Sequence, residues 1–201
     1  MTNTGTPHDA SASEAPMVGD HLAMDLLNTE ARDNGEVIEY WNSGNDVLQW
    51  LERSRGVSAL EDKAVDLAEL LTQAKALRAL ARQLIVQRKE GQLGDVSGLN
   101  EYLNAYPSVP HLERDGEDNL IMTRTACGEP MASLLGPLAE AVAQLLVEGN
   151  FTLVKQCDHP DCILWFYDRT KAHKRRWCSM ALCGNRYKAA QFRKRTGSAT
   201  P

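Results

Sequence analysis

The chain has 201 residues, of which 43% are hydrophobic, and it carries a formal net charge of −5. This length allows one or two domains, and no apolar run approaches the ~20 residues of a membrane span. The first 16 residues are rich in Thr, Ser, Ala, Pro and Gly and lack the apolar segment of a signal peptide. We therefore predict a disordered tail over residues 1–18 and a cytoplasmic protein with no membrane partner.

The charge divides unevenly along the chain. Residues 1–150 carry 11 basic and 24 acidic side chains, whereas residues 151–201 carry 11 basic and 3 acidic ones. A basic block of this kind indicates a polyanionic partner for the last part of the chain. The alternative is that the block docks on the acidic part of the same protein.

Helical periodicity dominates the first part of the chain. Apolar residues recur at steps of three and four, most clearly from Leu67 to Ile85, as they do on one face of a helix. The predicted helices are residues 21–33, with Asp20 as N-cap, residues 46–55, residues 61–89, residues 97–105, and a last one marked by the apolar residues from Leu134 to Leu146.

One segment in this part favours strands. Asp115-Gly116 lies between two extended runs, residues 109–114 and 119–125, a pattern typical of a β-hairpin. Gly149-Asn150 marks a boundary, because composition and charge sign both change there. The sequence thus predicts an α+β protein whose first domain, residues 19–149, is mainly helical with a small β-hairpin.

Four cysteines follow the boundary with the spacing C-x4-C-x15-C-x4-C: Cys157, Cys162, Cys178 and Cys183. This spacing predicts one structural Zn²⁺ held by four thiolates, and two disulfides are the alternative. Four protein ligands leave no open position for a reacting water, which argues against metal catalysis. Cys127 lies outside the spacing, and we expect it to be a small buried hydrophobic residue or a redox sensor.

The turn signals around the cysteines predict a treble-clef-like module over residues 150–196. Residues 163–167 are predicted to form a strand and residues 168–174 a turn, after which Ser179 caps a helix that runs to about Arg195. Zinc would supply much of the folding free energy of so small a module. Residues 197–201 are predicted to be a second disordered tail.

Basic residues surround the predicted last helix rather than forming one stripe, which favours phosphate contacts. We expect Asn185 and Arg186 to contact base edges, although Asn185 equally fits a structural hydrogen bond near the metal. The candidate nucleic-acid contacts are Lys174, Arg175, Arg176, Asn185, Arg186, Lys188, Arg193, Lys194 and Arg195.

His21, Asp25 and Asn28 share one face of the first predicted helix. They form a candidate small-ligand site, and a structural hydrogen bond is the alternative for the His–Asp pair. The sequence shows no glycine-rich phosphate loop and no nucleophile elbow. We therefore expect a protein that is not an enzyme.

The cysteine-rich segment resembles the CGNR zinc-finger family. The resemblance rests on Cys183-Gly184-Asn185-Arg186, on Phe166-Tyr167-Asp168 and on Arg175-Arg176-Trp177, and it covers about residues 153–195. The segment from Leu22 to Thr29, LAMDLLNT, is similar to the ABATE domain that precedes this finger in bacterial proteins. The resemblance implies a bacterial transcription regulator whose finger binds DNA.

The leading functional prediction is a DNA-binding transcription regulator with a zinc finger and an N-terminal sensing or dimerising domain. A homodimer and an unidentified small-molecule effector are expected with it. Three alternatives remain open: an RNA-binding protein that uses the same basic module, an enzyme built on His21 and Asp25 with the finger as docking element, and an adaptor for an acidic protein.

Overall fold

A computed structural model describes residues 14–55 and 65–197, with the backbone alone for Arg55 and for residues 194–197. The predicted tails fall largely outside the described residues, at 1–13 and 198–201. Residues 14–18 are described, and they pack against the protein: Ala15 is buried in the core, and Arg53 donates to the Ala15 carbonyl oxygen at 2.5 Å.

The described residues form six α-helices, one π-helical turn and six strands. The helices are α1 Leu22–Leu27, α2 Gly44–Arg55, α3 Leu67–Lys89, α4 Ser97–Ala105, α5 Pro130–Glu148 and α6 Asn185–Gly197, and the π-helical turn is Met180–Gly184. The strands are β1 Glu30–Asp33, β2 Glu36–Glu39, β3 Ser108–Arg114, β4 Leu120–Ala126, β5 Val154–Gln156 and β6 Trp165–Tyr167. They pair as three separate antiparallel hairpins, β1–β2, β3–β4 and β5–β6.

Helix α1 is at the centre of the molecule, and α3 and α5 pack on it. Five of its six residues are buried, from Ala23 to Leu27. Helix α3 begins at the N-cap Asp66, whose carboxylate accepts from the N–H groups of Ala68 and Glu69. Gly91 follows its end with φ +80°, the left-handed conformation that glycine adopts readily after a helix.

The first predicted helix is too long. It ends at Leu27, its N-cap is His21 rather than Asp20, and residues 30–33 form β1 instead. Asn34 and Gly35 make the turn to β2 with φ +51° and +85°. Asn-Gly suits a two-residue hairpin turn because both residues tolerate positive φ, so this dipeptide overrides the helical pattern before it.

The β3–β4 hairpin is confirmed, with a longer turn than Asp115-Gly116 alone. The N–H of Asp115 donates to the carbonyl oxygen of Asn119 at 3.0 Å, and the residue with positive φ is Asp118, at +65°. The Asp115 carboxylate accepts from the N–H groups of Glu117 and Asn119. These local hydrogen bonds close a five-residue turn.

Helix α5 has 19 residues and is long and apolar enough to cross a membrane. Seven of its residues are buried in the core that it shares with α1 and α3. This burial is the pattern of a core helix in a water-soluble fold.

The zinc module covers residues 154–197 and is built differently from the predicted order in one respect. The strand around Trp165 pairs with β5, which precedes Cys157, so the hairpin flanks the first cysteine pair. Ser179 caps the π-helical turn: its hydroxyl accepts from the N–H groups of Ala181 and Leu182. Helix α6 continues from that turn. The predicted α+β class with a treble-clef-like module is confirmed.

The zinc module shares a core with the helical part. Val154 and Trp165 are buried in the same cluster as Leu26, Leu84 and Leu145. A second, smaller cluster joins the module's Leu164 and Phe166 to Ala31 of β1. The helical part and the module are therefore packed into one body rather than joined by a linker.

Candidate metal centre and nucleic-acid surface

The four predicted ligands converge on one point. The sulfur atoms of Cys157, Cys162, Cys178 and Cys183 all lie within 4.8 Å of one another. Tetrahedral zinc with Zn–S bonds of about 2.3 Å places sulfur atoms about 3.8 Å apart. The Sγ–Sγ distances are 3.9 Å for Cys162–Cys178 and 3.4 Å for Cys178–Cys183. The arrangement fits a structural Cys₄ zinc site and contains no disulfide.

The local fold places each sulfur. Cys157 and Cys162 both lie in the loop between β5 and β6, where the N–H of Cys157 donates to the Leu164 carbonyl oxygen at 2.9 Å. Cys183 is held by the π-helical turn, and the N–H of Cys178 donates to Sγ of Cys157 at 3.3 Å. Three of the four cysteines are buried, so the metal that they bind is shielded from water.

The thiols perturb one another strongly. Hydrogen bonds, first of all from Cys162, lower the pKa of Cys157, whereas the same contacts, first of all with Cys157, raise the pKa of Cys178. Four thiolates so close together repel one another unless a cation lies between them. The positive charge of a bound Zn²⁺ relieves the repulsion between the thiolates and keeps all four sulfurs deprotonated.

A buried aspartate organises the loop between β6 and Cys178. Asp168 accepts from Nζ of Lys155 at 2.7 Å, from the Thr170 hydroxyl at 2.6 Å and from the Arg175 N–H at 2.9 Å. Burial raises its pKa, but the hydrogen bonds from Lys155 and Thr170 outweigh burial and hold the pKa well below its usual range. Lys155 also donates to the His173 carbonyl oxygen at 2.8 Å, so one ion pair fixes both sides of the loop.

Arg175 faces the helical part instead of solvent. Its guanidinium donates to the Val18 carbonyl oxygen at 2.8 Å, contacts Asp20, and packs over the Phe166 ring at 4.2 Å. It also donates to the Cys178 carbonyl oxygen. Arg175 thus ties the metal loop to the segment before α1, and in this conformation its donors are not available to a nucleic acid.

Arg186 lies at a second junction. Its guanidinium is 2.9 Å from the Asp33 carboxylate and 3.6 Å from that of Asp161. The Asp161 carboxylate also accepts from the N–H groups of Asn34 and Gly35, at 2.6 and 2.8 Å. Hydrogen bonds, first of all from Gly35, lower the pKa of Asp161. The start of α6 is thereby fastened to the tip of the β1–β2 hairpin.

The other nucleic-acid candidates whose side chains are described lie at the surface of the module. Lys174, Arg176, Asn185, Lys188 and Arg193 are exposed, and Arg176 pairs with Asp158 at 2.7 Å. Lys194 and Arg195 lie on α6, but their side chains are outside the described residues. Base and phosphate contacts by all of these residues, and by Arg175 and Arg186, stay predictions.

Two exposed basic residues, Arg169 and Lys171, were not among the predicted contacts. They lie on the same loop as Lys174, which the sequence indicates only as a polar turn. The signal that identifies them is charge density, since residues 169–176 contain five lysines and arginines.

The candidate ligand site at α1 is occupied by the protein's own hydrogen bonds. Asn28 is fully buried: its Nδ2 donates to the Trp165 carbonyl oxygen at 2.9 Å, and its Oδ1 accepts from the Trp165 N–H at 2.8 Å. Asp25 accepts from the Gly19 N–H at 2.8 Å, and Nδ1 of His21 accepts from the Ala23 N–H at 3.1 Å. Each of these hydrogen bonds joins a side chain to the backbone rather than His21 to Asp25. Both a ligand role for the three residues and a structural His–Asp hydrogen bond stay predictions.

Cys127 is exposed at the base of the β3–β4 hairpin. The prediction of a buried side chain is wrong, because the hairpin projects from the core and its end is open to solvent. The residue lies in the helical part, apart from the four-cysteine cluster.

Comparison with known families agrees with this geometry. The sequence model of the ABATE family, described as "Putative stress-induced transcription regulator", matches residues 20–149. The chain belongs to the ABATE family. The CGNR zinc finger matches residues 154–196, so both predicted resemblances are confirmed, in the predicted order. No curated protein matches the chain.

The structure shows what residues of the ABATE segment LAMDLLNT and of the CGNR segment contact. In the ABATE segment LAMDLLNT, Asn28 clamps the β6 strand of the finger, and Thr29 accepts from Arg78 at 3.0 Å. In the CGNR segment, Cys183 is the fourth sulfur ligand and Arg186 reaches the β1–β2 hairpin. Both signatures therefore contain residues that join this ABATE domain to its finger.

Proposed function

We propose that this ABATE-family protein is a bacterial, cytoplasmic, DNA-binding transcription regulator without catalytic activity. The observation that carries the proposal is the basic outer surface of the zinc module, which consists of the loop 169–176 and helix α6. We call it the basic face. The family description, a transcription regulator, and the zinc finger agree with it.

The acidic groups of the module neutralise this face only in part. Asp168 is buried against Lys155, and Asp161 faces the β1–β2 hairpin. Asp158 pairs with Arg176 at the surface. Within the described residues, Lys171, Lys174 and Lys188 are exposed and have no ion-pair partner. Exposed cations of this kind are suited to contacts with the negative charges of a phosphate backbone.

The zinc acts structurally in this proposal. It fixes the loop 157–162 and the start of α6 with respect to each other, and so sets the direction in which α6 leaves the core. Docking on the helical part adds a second constraint, because Arg186 and Asn28 hold the module from two sides. A rigid basic helix loses little conformational freedom on binding DNA, which favours affinity.

A salt titration tests the proposal. Each phosphate that the protein neutralises contributes about −0.9 to the slope of log K against log salt on duplex DNA. Lys171→Gln and Lys174→Gln should each flatten the slope by about one such step, and the double variant by about two. Arg32→Gln, which removes an exposed charge from β1, is the matched control and should leave the slope unchanged.

The same variants separate the proposal from its alternatives. If the zinc-loaded protein shows no salt-dependent binding to duplex DNA at low ionic strength, the proposal fails. Tighter binding to structured RNA than to duplex DNA in direct competition would favour the RNA-binding alternative. A slope that responds equally to Arg32→Gln and Lys174→Gln would show that the basic face is not the contact surface.

A sensing role for the helical part has a candidate location. A cavity of about 250 Å³ lies between β2 and α2, and the buried rings of Trp41 and Trp50 form part of its wall. Strand β2 belongs to the hairpin whose tip contacts Arg186. An effector in the cavity would therefore act on the finger through the β1–β2 hairpin, which a change in Trp fluorescence linked to DNA affinity would test.

A further inference from the structure

The β3–β4 hairpin differs from the rest of the fold in being almost fully exposed. None of its fourteen strand residues is buried, and eleven are exposed. The described chain has fourteen exposed large apolar residues, and five of them lie in this hairpin: Val109, Leu112, Leu120, Ile121 and Met122. An isolated two-stranded hairpin is marginally stable in water, and a third strand or a covering face is usually needed. Among the described residues, no third strand pairs with this hairpin.

The backbone hydrogen bonds show which edge can accept a new strand. The Cys127 N–H donates to the Pro107 carbonyl oxygen, and the Asp115 N–H donates to that of Asn119. Because hydrogen-bonded pairs alternate along an antiparallel ladder, the odd-numbered strand residues pair internally. The N–H and C=O groups of the even-numbered residues then point away from the partner strand.

The two outer edges are not equivalent. On β3, one outward position is Pro110, which has no N–H and therefore interrupts strand addition. On β4, the outward positions are Leu120, Met122, Arg124 and Ala126, which all have an N–H. Of the two edges, only that of β4 can accept a second row of backbone hydrogen bonds along its whole length.

The side chains of β4 indicate the occupant. The even-numbered face carries an apolar cluster of Leu112, Leu120 and Met122, which are 64%, 64% and 77% exposed. Arg124 lies towards one end of β4, whereas the turn at the other end, residues 113–118, has four carboxylates and one arginine. An antiparallel strand of the same sequence would place each Arg124 near the acidic turn of the other copy and would make the two apolar clusters continuous.

We propose that two copies of the chain dimerise by antiparallel pairing of β4 with β4, which forms a four-stranded sheet in the order β3–β4–β4–β3. The interaction surface and its occupant, a second copy, follow from the blocked β3 edge, the open β4 edge and the opposed charges at the two ends of β4. The pairing does not depend on DNA binding, and it places the exposed apolar side chains of the two copies side by side, where they shield part of each other from water.

Sedimentation of the full zinc-loaded chain over a concentration series tests the pairing. The mass should rise from 22.3 kDa towards twice that value, with half-dimerisation on the order of micromolar because a single strand pair is a small interface. Met122→Lys should give a monomer at all these concentrations, since it brings like charges together at the centre of the new sheet. Val109→Lys, on the blocked strand and the opposite face, is the matched control and should dimerise like the wild type.

A second variant and a second measurement distinguish loss of the dimer from misfolding of the hairpin. Arg124→Pro removes an outward N–H and the two hydrogen bonds from the Arg124 side chain to Ser108. It leaves the backbone ladder of the hairpin intact, so the hairpin should persist while the dimer is lost. In hydrogen exchange, the amides of Leu120, Met122 and Arg124 should gain protection as concentration rises, whereas that of Leu112 should not. A wild-type chain that stays monomeric throughout the series, or a dimer that survives both β4 variants, overturns the proposal.

Discussion

The zinc module has two faces that use similar residues in opposite ways. On the inner face, charged and polar groups are matched by the helical part: Arg175 with Val18 and Asp20, and Arg186 with Asp33. On the outer face, Lys171 and Lys174 extend into solvent. The inner face holds the module in place, and the outer face supplies the charge that the proposed DNA contact requires.

Arg175 and Arg176 show what this difference teaches. They are neighbours in a single motif, and in sequence they are equivalent candidates for phosphate contacts. In the structure the Arg175 side chain is 17% exposed and the Arg176 side chain 62%. The number of basic residues in the module therefore overestimates its binding surface, because some of them hold the junction between the module and the helical part.

The largest expected effect comes from removing the metal. Cys178→Ser should abolish zinc binding and unfold the module, since a four-thiolate site supplies most of the folding free energy of such a small unit. The helical part should stay folded but lose roughly 3 kcal/mol, because Trp165 leaves the shared core. Elemental analysis and thermal unfolding followed by far-UV circular dichroism measure both effects.

Cys127→Ser is the matched control for this variant, because Cys127 is the one cysteine outside the cluster. It should retain one zinc per chain and wild-type stability. Stoichiometric zinc in Cys178→Ser, or its loss in Cys127→Ser, would contradict the assigned ligand set.

The junction itself is tested by Asn28→Ala. The variant leaves the buried N–H and C=O of Trp165 without partners, which costs about 1–3 kcal/mol for each group. We expect a loss of roughly 3 kcal/mol in the free energy of unfolding while zinc stays bound. Asn45→Ala, an exposed residue of α2, provides the comparison and should change stability by less than about 0.5 kcal/mol. Equal stabilities of the two variants in chemical denaturation would show that Asn28 does not hold the junction.

How far the sequence predicts this protein depends on the range of the interactions. The cysteine spacing, the periodicity of α3 and α5 and the turn of β3–β4 are local signals, and each is confirmed. The β1–β2 hairpin is not predicted, because the helical spacing of residues 21–29 is extended to residue 33, directly before Asn34-Gly35, although that dipeptide is itself a strong turn signal.

The contacts across the junction have no local signal. Asn28 and Trp165 are 137 residues apart, and helical spacing places Asn28 beside His21 and Asp25 without showing which atoms each side chain meets. In the same way, the positions of Arg175 and Arg186 depend on Asp20 and Asp33 in the other part of the chain. Single-sequence reasoning identifies such residues as functional candidates but cannot assign their partners.

A matched pair of substitutions separates the two faces directly. Arg175→Ala should destabilise the protein by about 2 kcal/mol, because the Val18 carbonyl oxygen loses a charged donor in a half-buried site. Arg176→Ala removes a surface ion pair with Asp158 and should change the stability little, because an exposed ion pair is screened by solvent. DNA binding should respond in the reverse order: Arg176→Ala flattens the salt dependence by about one phosphate, and Arg175→Ala does not. Salt titrations combined with urea denaturation measure both, and a flatter salt dependence in Arg175→Ala would place that residue on the contact surface.

The smallest expected effect concerns Asp25, which supports the junction through Gly19. The Gly19 N–H donates to Asp25, and the Gly19 carbonyl oxygen accepts from the Tyr167 N–H at 2.8 Å. Burial raises the pKa of Asp25 from 3.8 to about 6. Because the folded pKa lies above the unfolded one, the penalty for the buried carboxylate is absent below pH 4, grows as pH rises towards 6, and is complete above that value.

Asp25→Asn keeps an oxygen for the Gly19 N–H and removes this penalty. We expect the variant to be more stable than the wild type by about 1 kcal/mol at neutral pH, below the ceiling of about 3 kcal/mol that a two-unit pKa shift allows, since the added amide N–H group needs its own partner. The difference in Tm between variant and wild type should shrink as pH falls from about 8 to 5, through the raised pKa. Asn45→Ala, at an exposed position of α2 that has no titratable group, should show no such trend. If the difference in Tm between Asp25→Asn and the wild type does not depend on pH, the buried Asp25 carboxylate carries no ionisation penalty and the prediction is wrong.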